Sequence, residues 1–179
     1  MKMSRKWEMP NSKTFQIKAI QEVILRYAKS DYIVLDPFAN EGSIREHLRC
    51  KKYINNDIDE TFKTDYHMEA QEFLKQFEKD SIDMVLCDPP YSPRQVSECY
   101  KQLGKTVTMM DTAFTWYTDV KKEISRIIKP GGICITCCWN TNGIGSKYDF
   151  ELLEVLCVAH GGMHNDTLVT VERKKSRLF

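Results

Sequence analysis

The stretch Ser81–Tyr91, which reads SIDMVLCDPPY, constrains the fold of this chain more than any other. Its mostly apolar part, residues 82–86, has the length of a buried strand. Two prolines follow Asp88, and because proline has no N–H to donate to a sheet ladder, the strand must end there. The sequence therefore predicts a carboxylate at the carboxyl end of a strand, where open α/β sheets bind ligands. A plain proline turn with a surface Asp88 and a buried Tyr91 is an equal alternative on these residues alone.

A second segment, Asp31–Arg49, reads DYIVLDPFANEGSIREHLR. It predicts a buried strand, a turn that contains Gly42, and a helix that begins near Ser43. Backbone N–H groups at a helix N-terminus, together with a glycine that has no side chain, allow a nucleotide-type ligand to approach closely. A full GxGxxG pattern is absent, so the glycine chemistry by itself is a weak signal.

A third segment, Lys52–Asp59, predicts the next strand, and Asp57 near its end lies 21 positions after Asp36. A carboxylate about 20 residues beyond the first loop is suited to accept hydrogen bonds from ribose hydroxyls. Asp59 and Asp65 are alternative partners for the ribose, since Asp residues in this region also suit helix caps and turns.

These segments carry a resemblance to a known family. Residues 88–91, DPPY, resemble the (D/N/S)PP(Y/F/W) signature of amino-methyltransferases that use S-adenosyl-L-methionine. Residues 36–43, DPFANEGS, are similar to the DPFxGxG cofactor motif of DNA and RNA amino-methyltransferases, with Asn40 in place of the first glycine. Asn tolerates a positive φ better than most residues, so the turn can still form. Residues 68–74, MEAQEFL, resemble the acidic-Ala-x-x-Phe-Leu segment of the same enzymes.

The resemblance implies a Rossmann-like fold and S-adenosyl-L-methionine as the cofactor. Phe15 and Ile17 would cover the methionine end of the cofactor, although a core helix explains them equally well. Glu69 would lie near the adenine amino group. The cofactor-binding residues that the resemblance implies are Phe15, Ile17, Asp36, Pro37, Phe38, Asn40, Gly42, Asp57, Ile58, Glu69, Ala70 and Asp88.

The resemblance also assigns the chemistry to Asp88, Pro89, Pro90 and Tyr91. An exocyclic amine on a purine is a poor nucleophile because its lone pair is delocalised into the ring. Hydrogen bonds from its protons to the Asp88 carboxylate and the Pro89 carbonyl would favour a localised lone pair, while Tyr91 would stack on the base. Neither a covalent nucleophile nor a metal ion is needed for this reaction.

DPPY most resembles enzymes that methylate the 6-amino group of adenine in DNA, so DNA is the expected substrate. Similar motifs occur in enzymes that methylate the 2-amino group of guanine in ribosomal RNA, which keeps RNA as an alternative, with the guanine 2-amino group or adenine in ribosomal RNA as the acceptor. A non-catalytic partner subunit that uses the same fold to bind nucleic acid is an alternative of a different class. The missing glycine at Asn40 supports that alternative, and the intact DPPY tetrapeptide speaks against it.

The remaining pattern completes the fold. It predicts an α/β protein, a three-layer α/β/α sandwich whose mostly parallel sheet closes with an antiparallel C-terminal hairpin. His160 and His164 are predicted to be loop residues, because glycines separate them. The predicted strands lie near residues 32, 53, 82, 133, 152 and 167, with a weak one near 65, and the predicted helices span 15–27, 71–77 and 114–128, the last ended by KPGG at 129–132.

The length of 179 residues and a hydrophobic content of 42% suit one domain over residues 1–179. Within it, residues 1–14 form a basic arm that we expect to be solvated, and residues 92–113 form either a surface helix around Gln95–Leu103 or a substrate lid. The net charge of only +1 means that contacts with nucleic acid must come from a local patch. Either the arm and the 92–113 segment read the target, or another subunit does so, as a second copy in a homodimer or a separate specificity partner, or sequence specificity is slight.

The seven cysteines indicate no disulfide framework, because their number is odd and most lie in apolar strand-like runs. Cys134 and Cys137 have CxxC spacing, but in a strand they point to opposite faces, which makes metal chelation improbable. The sequence has no signal peptide and no apolar run near 18 residues. We therefore expect a cytoplasmic protein that does not enter a membrane.

Overall fold

The computed structural model describes residues 1–108 and 114–176, without the side chains of residues 114–116. Short 3₁₀ turns lie at Thr14–Gln16 and Ser146–Tyr148. The helices and strands, numbered in chain order, are β1 (Lys2–Trp7), α1 (Lys18–Tyr27), β2 (Ile33–Asp36), β3 (Lys52–Asn55), α2 (Ala70–Lys75), β4 (Ile82–Cys87), α3 (Pro93–Gln102), α4 (Phe114–Ile127), β5 (Ile128–Cys138), β6 (Phe150–Ala159) and β7 (Thr167–Lys174).

All seven strands form one sheet in the order β1-β6-β7-β5-β4-β2-β3. Only β7 runs against its neighbours: it pairs antiparallel with both β5 and β6, whereas the other pairs are parallel. The predicted fold class and the antiparallel C-terminal hairpin are confirmed. Because β3, β2, β4 and β5 are parallel and adjacent, their carboxyl ends meet at one edge of the sheet.

The core has two halves, one on each face of the sheet. On the first face α1 packs with Ile20 and Ile24 against the strands, and on the second α2 and α4 do so with Phe73 and Ile124. This arrangement gives the three predicted layers. Cys137 belongs to the first half of the core and Cys134 to the second, which confirms that the CxxC pair points to opposite faces.

Part of the amino-terminal arm forms a strand rather than a free tail, while five of the six residues of this strand are exposed, as predicted. Residues 2–7 form β1, which pairs in parallel with β6 from Lys2 opposite Glu154 to Trp7 opposite Ala159. The buried carboxylate of Glu154 also accepts hydrogen bonds from Arg26 at 2.8 Å and Tyr27 at 3.0 Å. The strand exists because β6 offers it a free sheet edge, and this pairing brings the following residues to the functional edge.

The prediction of a helix that begins near Ser43 is wrong, because residues 41–47 form consecutive turns. The backbone there closes mainly four-residue β-turns, with Arg45 N–H donating to Gly42 O at 3.0 Å. The Arg45 guanidinium is held instead by Asn55 and Asp65, both at 2.8 Å. The weak strand predicted near residue 65 is reduced to a single bridge between Asn56 and Tyr66.

Two further boundaries differ from prediction. The KPGG sequence does not separate α4 from a strand that starts at Ile133. Instead β5 begins directly at Ile128 and includes the KPGG residues, with a register shift in its pairing with β4. The 92–113 segment contains the helix α3, capped by the Ser92 hydroxyl, which accepts from Gln95 N–H at 3.3 Å. Residues 109–113 of that segment lie outside the described part. Within the described residues, no helix has the length and apolar character needed to cross a membrane.

Candidate active site

A cavity of about 650 Å³ lies at the edge where the parallel strands end. Asp57 follows β3, Asp88 follows β4 and Trp139 follows β5, so the ends of three parallel strands each contribute a side chain to it. Most of the predicted site residues line this cavity: Phe15, Ile17, Pro37, Phe38, Asn40, Asp57, Ile58, Glu69, Ala70, Asp88, Pro89, Pro90 and Tyr91. The structure thus brings together residues that are far apart in the chain.

Asp88 lies where the prolines end β4. Its carboxylate accepts hydrogen bonds from the Tyr91 hydroxyl at 2.5 Å and from the Thr14 side chain. Burial raises the pKa of Asp88 from 3.8 to about 6, because removal from water penalises the charged form, while both hydrogen bonds lower it. At neutral pH the group is an ionised acceptor.

Tyr91 lines the cavity and also contacts the protein interior through its backbone and its ring. Its backbone N–H donates to the Gln95 side chain at 2.5 Å, and its ring packs on the core half that contains α1. The ring centroid lies 5.6 Å from that of Trp139, with the ring planes inclined by 69°. Burial is the main cause that raises the pKa of the Tyr91 phenol, and the charge of Asp88 is the next. The hydroxyl therefore stays protonated and acts as a hydrogen-bond donor.

Asp57 holds the turn after β2 in place. Its Oδ2 accepts from Asn40 N–H at 2.7 Å and its Oδ1 from Asp59 N–H at 3.0 Å. Burial raises its pKa. Asp59 and Asp65, the two alternatives, do not line the cavity: Asp59 bonds to Thr61, and Asp65 to Arg45 and the Asn55 backbone.

Glu69 also lines the cavity, just before α2. Its Oε2 accepts from the Tyr100 hydroxyl at 2.8 Å, and Lys105 lies 3.7 Å from its other oxygen. Because Tyr100 belongs to α3, these contacts hold that helix over the cavity, where Val96 and Cys99 complete the wall.

Asp36 and Gly42 do not line the cavity. Asp36 is fully buried behind it and accepts from the Tyr53 hydroxyl at 2.7 Å and from Phe38 N–H at 3.3 Å. Burial raises its pKa to about 7. Gly42 is required for packing, since its φ is +64° and an added Cβ would lie 2.7 Å from Nδ2 of Asn55. Asn40 adopts a φ of 50°, which confirms that it sustains the turn without a glycine.

Several residues of the cavity wall were not predicted from the sequence, above all Thr14, Trp139 and His160. The two ring nitrogens of His160 lie 2.9 Å from Glu8 O and 2.9 Å from Thr167 Oγ1, so this loop residue anchors the chain that follows β1. Trp139 had a detectable signal, because it follows an apolar strand just as Asp88 does. Within the described residues, no group of three His, Cys, Asp or Glu side chains is arranged to hold a metal ion.

Comparison with known proteins gives the class of this fold. No protein-family model matches the sequence, and no curated protein does. Among solved structures, the N-methyltransferase NodS from Bradyrhizobium japonicum is 11% identical, with a TM-score of 0.62 over 93% of this chain and 100% of that one. TrmN from Thermus thermophilus is 19% identical, with a TM-score of 0.60 over 88% of this chain and 49% of that one.

A third match is 1,6-didemethyltoxoflavin-N1-methyltransferase from Burkholderia thailandensis, solved with bound 1,6-didemethyltoxoflavin and S-adenosylhomocysteine. It is 12% identical, with a TM-score of 0.60 over 88% of this chain and 76% of that one. At such identities the likeness concerns the fold. The fold of this chain is that of the S-adenosylmethionine-dependent methyltransferases.

Proposed function

We propose that this protein is an S-adenosyl-L-methionine-dependent N-methyltransferase that acts on the 6-amino group of adenine in DNA. One observation carries the proposal: the Asp88 carboxylate, at the end of β4, opens into the same cavity as Asp57 and Glu69. The cavity therefore joins an acceptor for an amine to acceptors suited to a nucleoside. Fold likeness alone leaves the substrate open, since one fold hosts many functions.

The lining suits the proposed cofactor. Asp57 offers carboxylate oxygens for ribose hydroxyls, because each oxygen can accept more than one hydrogen bond. Glu69 is suited to accept from an adenine amino group, and the buried Phe15 and Ile17 form an apolar wall. When bound, S-adenosyl-L-methionine supplies an electrophilic methyl group on its sulfonium.

The acceptor residues orient the amine. Asp88 and the carbonyl of Pro89 accept its two N–H protons, which favours a localised lone pair on nitrogen. The Tyr91 hydroxyl already uses Oδ1 of Asp88, so the incoming amine shares that carboxylate or replaces the tyrosine. As the new N–CH3 bond forms and the methyl–sulfur bond breaks, the nitrogen would become positively charged with both of its protons still attached, and the ionised Asp88, which accepts one of them, would take up that proton. Positioning supplies most of the rate.

The choice of DNA follows from the DPPY tetrapeptide, and base flipping would bring the adenine to the cavity. Guanine in ribosomal RNA is the alternative acceptor. The non-catalytic alternative loses its main support, because Asn40 adopts the positive φ that a glycine would otherwise provide. The hydrogen-bonded Asp88 and the continuous cavity favour an enzyme.

The proposal is tested by titrating the protein with S-adenosyl-L-methionine in a calorimeter and assaying transfer of a labelled methyl group to DNA and to RNA. We expect binding, and transfer to DNA. Asp88→Ala should keep its cofactor affinity and lose most of its turnover, because Asp88 acts chiefly during transfer. Absence of cofactor binding, or transfer only to protein or small molecules, would contradict the proposal.

A further inference from the structure

Trp139 is exposed in the place where the substrate would enter. It follows β5, which pairs in parallel with β4 so that Cys87 lies opposite Thr136. The indole therefore lies at the same sheet edge as Asp88, one strand further along. It is 41% exposed although it lines the cavity. A large apolar ring left open at a cavity mouth is typical of a binding surface.

The surroundings of the indole define where a substrate would lie. The Trp139 ring meets the Tyr91 ring at a centroid distance of 5.6 Å and an angle of 69°, so the two rings form an aromatic corner beside Asp88. A second hollow of about 400 Å³ adjoins this corner. Trp139, His164 and Asn165 line both the hollow and the main cavity, so these three residues form their common wall.

The composition of the corner indicates the chemistry of its ligand. Flat aromatic faces bind flat heteroaromatic rings in any sequence context, because every nucleobase has a π-face. The neighbouring His164 and Asn165 are exposed and offer hydrogen-bonding groups at the rim. Trp7 provides a contrast: it is 66% exposed on the edge strand β1, but it does not line the cavity.

We propose that Trp139 is a substrate-binding residue, the aromatic wall against which the ring that carries the acceptor amine packs. It makes the enzyme selective for amines on planar heteroaromatic rings, that is nucleobases, over aliphatic amines. The part of the bound substrate that does not react extends out of the site along the hollow beside the indole. This inference rests on the proposed function and adds the residue that reads the shape of the acceptor.

The test compares Trp139→Ala, Trp139→Phe and the control Trp7→Ala in steady-state methyl transfer to the preferred nucleic acid. Removal of one stacking interaction raises KM by about 5- to 150-fold. We expect that rise in Trp139→Ala, an unchanged dissociation constant for S-adenosyl-L-methionine, and recovery of most of the affinity in Trp139→Phe. Trp7→Ala should behave like the wild type. An unchanged KM in Trp139→Ala, or an equal loss of cofactor affinity, would overturn the inference.

A second readout separates this inference from the proposed function. Titration with single-stranded oligo(dA) should quench the tryptophan fluorescence of the wild type, and the quenching should be lost in Trp139→Phe while it persists in Trp7→Ala. If the wild type transfers no methyl group to any nucleic acid, the proposed function fails, yet this pattern would still support Trp139 as a base-binding residue. Quenching that survives in Trp139→Phe, or none in the wild type, would contradict it.

Discussion

The Tyr91 hydroxyl donates a hydrogen bond to Oδ1 of Asp88 across 2.5 Å. Two residues of the DPPY tetrapeptide are thus bonded to each other at the acceptor end of the cavity. Burial raises the pKa of Asp88 to about 6, and the bond from Tyr91 opposes that rise because it stabilises the carboxylate. This pair therefore sets the pH range in which the site can accept an amine.

Removal of the Tyr91 hydroxyl should shift the pH dependence of turnover. In the wild type, kcat should fall as the pH decreases through about 6, when Asp88 becomes protonated. Tyr91→Phe keeps the ring and removes the donor, so the pKa of Asp88 rises and the acid limb of the kcat profile moves to higher pH. Tyr32→Phe is the control, since Tyr32 lies just before β2, at the opposite edge of the sheet. A limb that stays or moves to lower pH would contradict this role.

Asp57→Ala should weaken binding of S-adenosyl-L-methionine by roughly 10- to 150-fold, since a hydrogen bond to a charged acceptor is worth about 1.5 to 3 kcal/mol. The variant also releases the backbone of Asn40, which Asp57 holds at 2.7 Å. Asp59→Ala is the matched control, because Asp59 lies outside the cavity. Calorimetry on the folded variants measures the affinity of each for S-adenosyl-L-methionine. Equal affinities in the two variants would mean that a residue other than Asp57 contacts the ribose.

Asp36→Asn should change how stability depends on pH. The pKa of Asp36 is about 7 in the native state against 3.8 for an unperturbed group, so the native state binds more protons between those values. Its contribution to the free energy of unfolding therefore falls as the pH rises from 4 to 7. Relative to the wild type, Asp36→Asn should gain roughly 2 to 4 kcal/mol across that range. Urea unfolding at four pH values measures this difference, and a constant difference would refute the assignment.

Cations beside the cavity should contribute phosphate contacts. We expect the replacement of Arg94, Lys101 and Lys105 together to flatten the plot of log binding constant for DNA against log salt concentration. The slope should change by about 0.9 for each phosphate that a cation no longer neutralises. Arg94 and Lys105 now pair with Glu98 and Glu69, so phosphate would replace those carboxylates. The cations of β1 and the chain after it, also predicted to contact phosphate, form a second group for the same test: Lys2, Arg5, Lys6 and Lys13.

The control for this experiment changes the same charge at the opposite edge of the sheet. Lys51, Lys52 and Lys79 are exposed near the starts of β3 and β4, and their replacement by glutamine removes three positive charges as well. If both triple variants alter the salt slope equally, or neither does, the cations beside the cavity are ordinary solvated charges.

The parallel strands and their site could be predicted from sequence because the relevant signals are local. Asp88 directly follows an apolar run that prolines must end. Asp57 lies near the end of the strand predicted over 52–59, at the expected distance from Asp36. Trp139 obeys the same rule, since it follows the apolar strand 133–138, and could have been named on that ground.

Other features depend on contacts between distant segments. The strand β1 is rich in charged residues and exists through pairing with β6, so nothing in its own pattern predicts it. Thr14 reaches Asp88 because this pairing fixes the chain that follows β1. The helix expected near Ser43 gave way to turns because Arg45 bonds to Asn55 and Asp65, a tertiary contact that local propensity does not contain.

The central claim is tested most directly by identifying the methylated product. The purified protein is incubated with S-adenosyl-L-methionine and either unmethylated DNA or ribosomal RNA, the nucleic acid is digested to nucleosides, and these are separated by mass spectrometry, with Asp88→Ala as the parallel control. We predict N6-methyldeoxyadenosine with the wild type and almost none with the variant. Methylation of the guanine 2-amino group in RNA instead would move the substrate to ribosomal RNA. Absence of any methylated nucleoside from either nucleic acid would contradict the account.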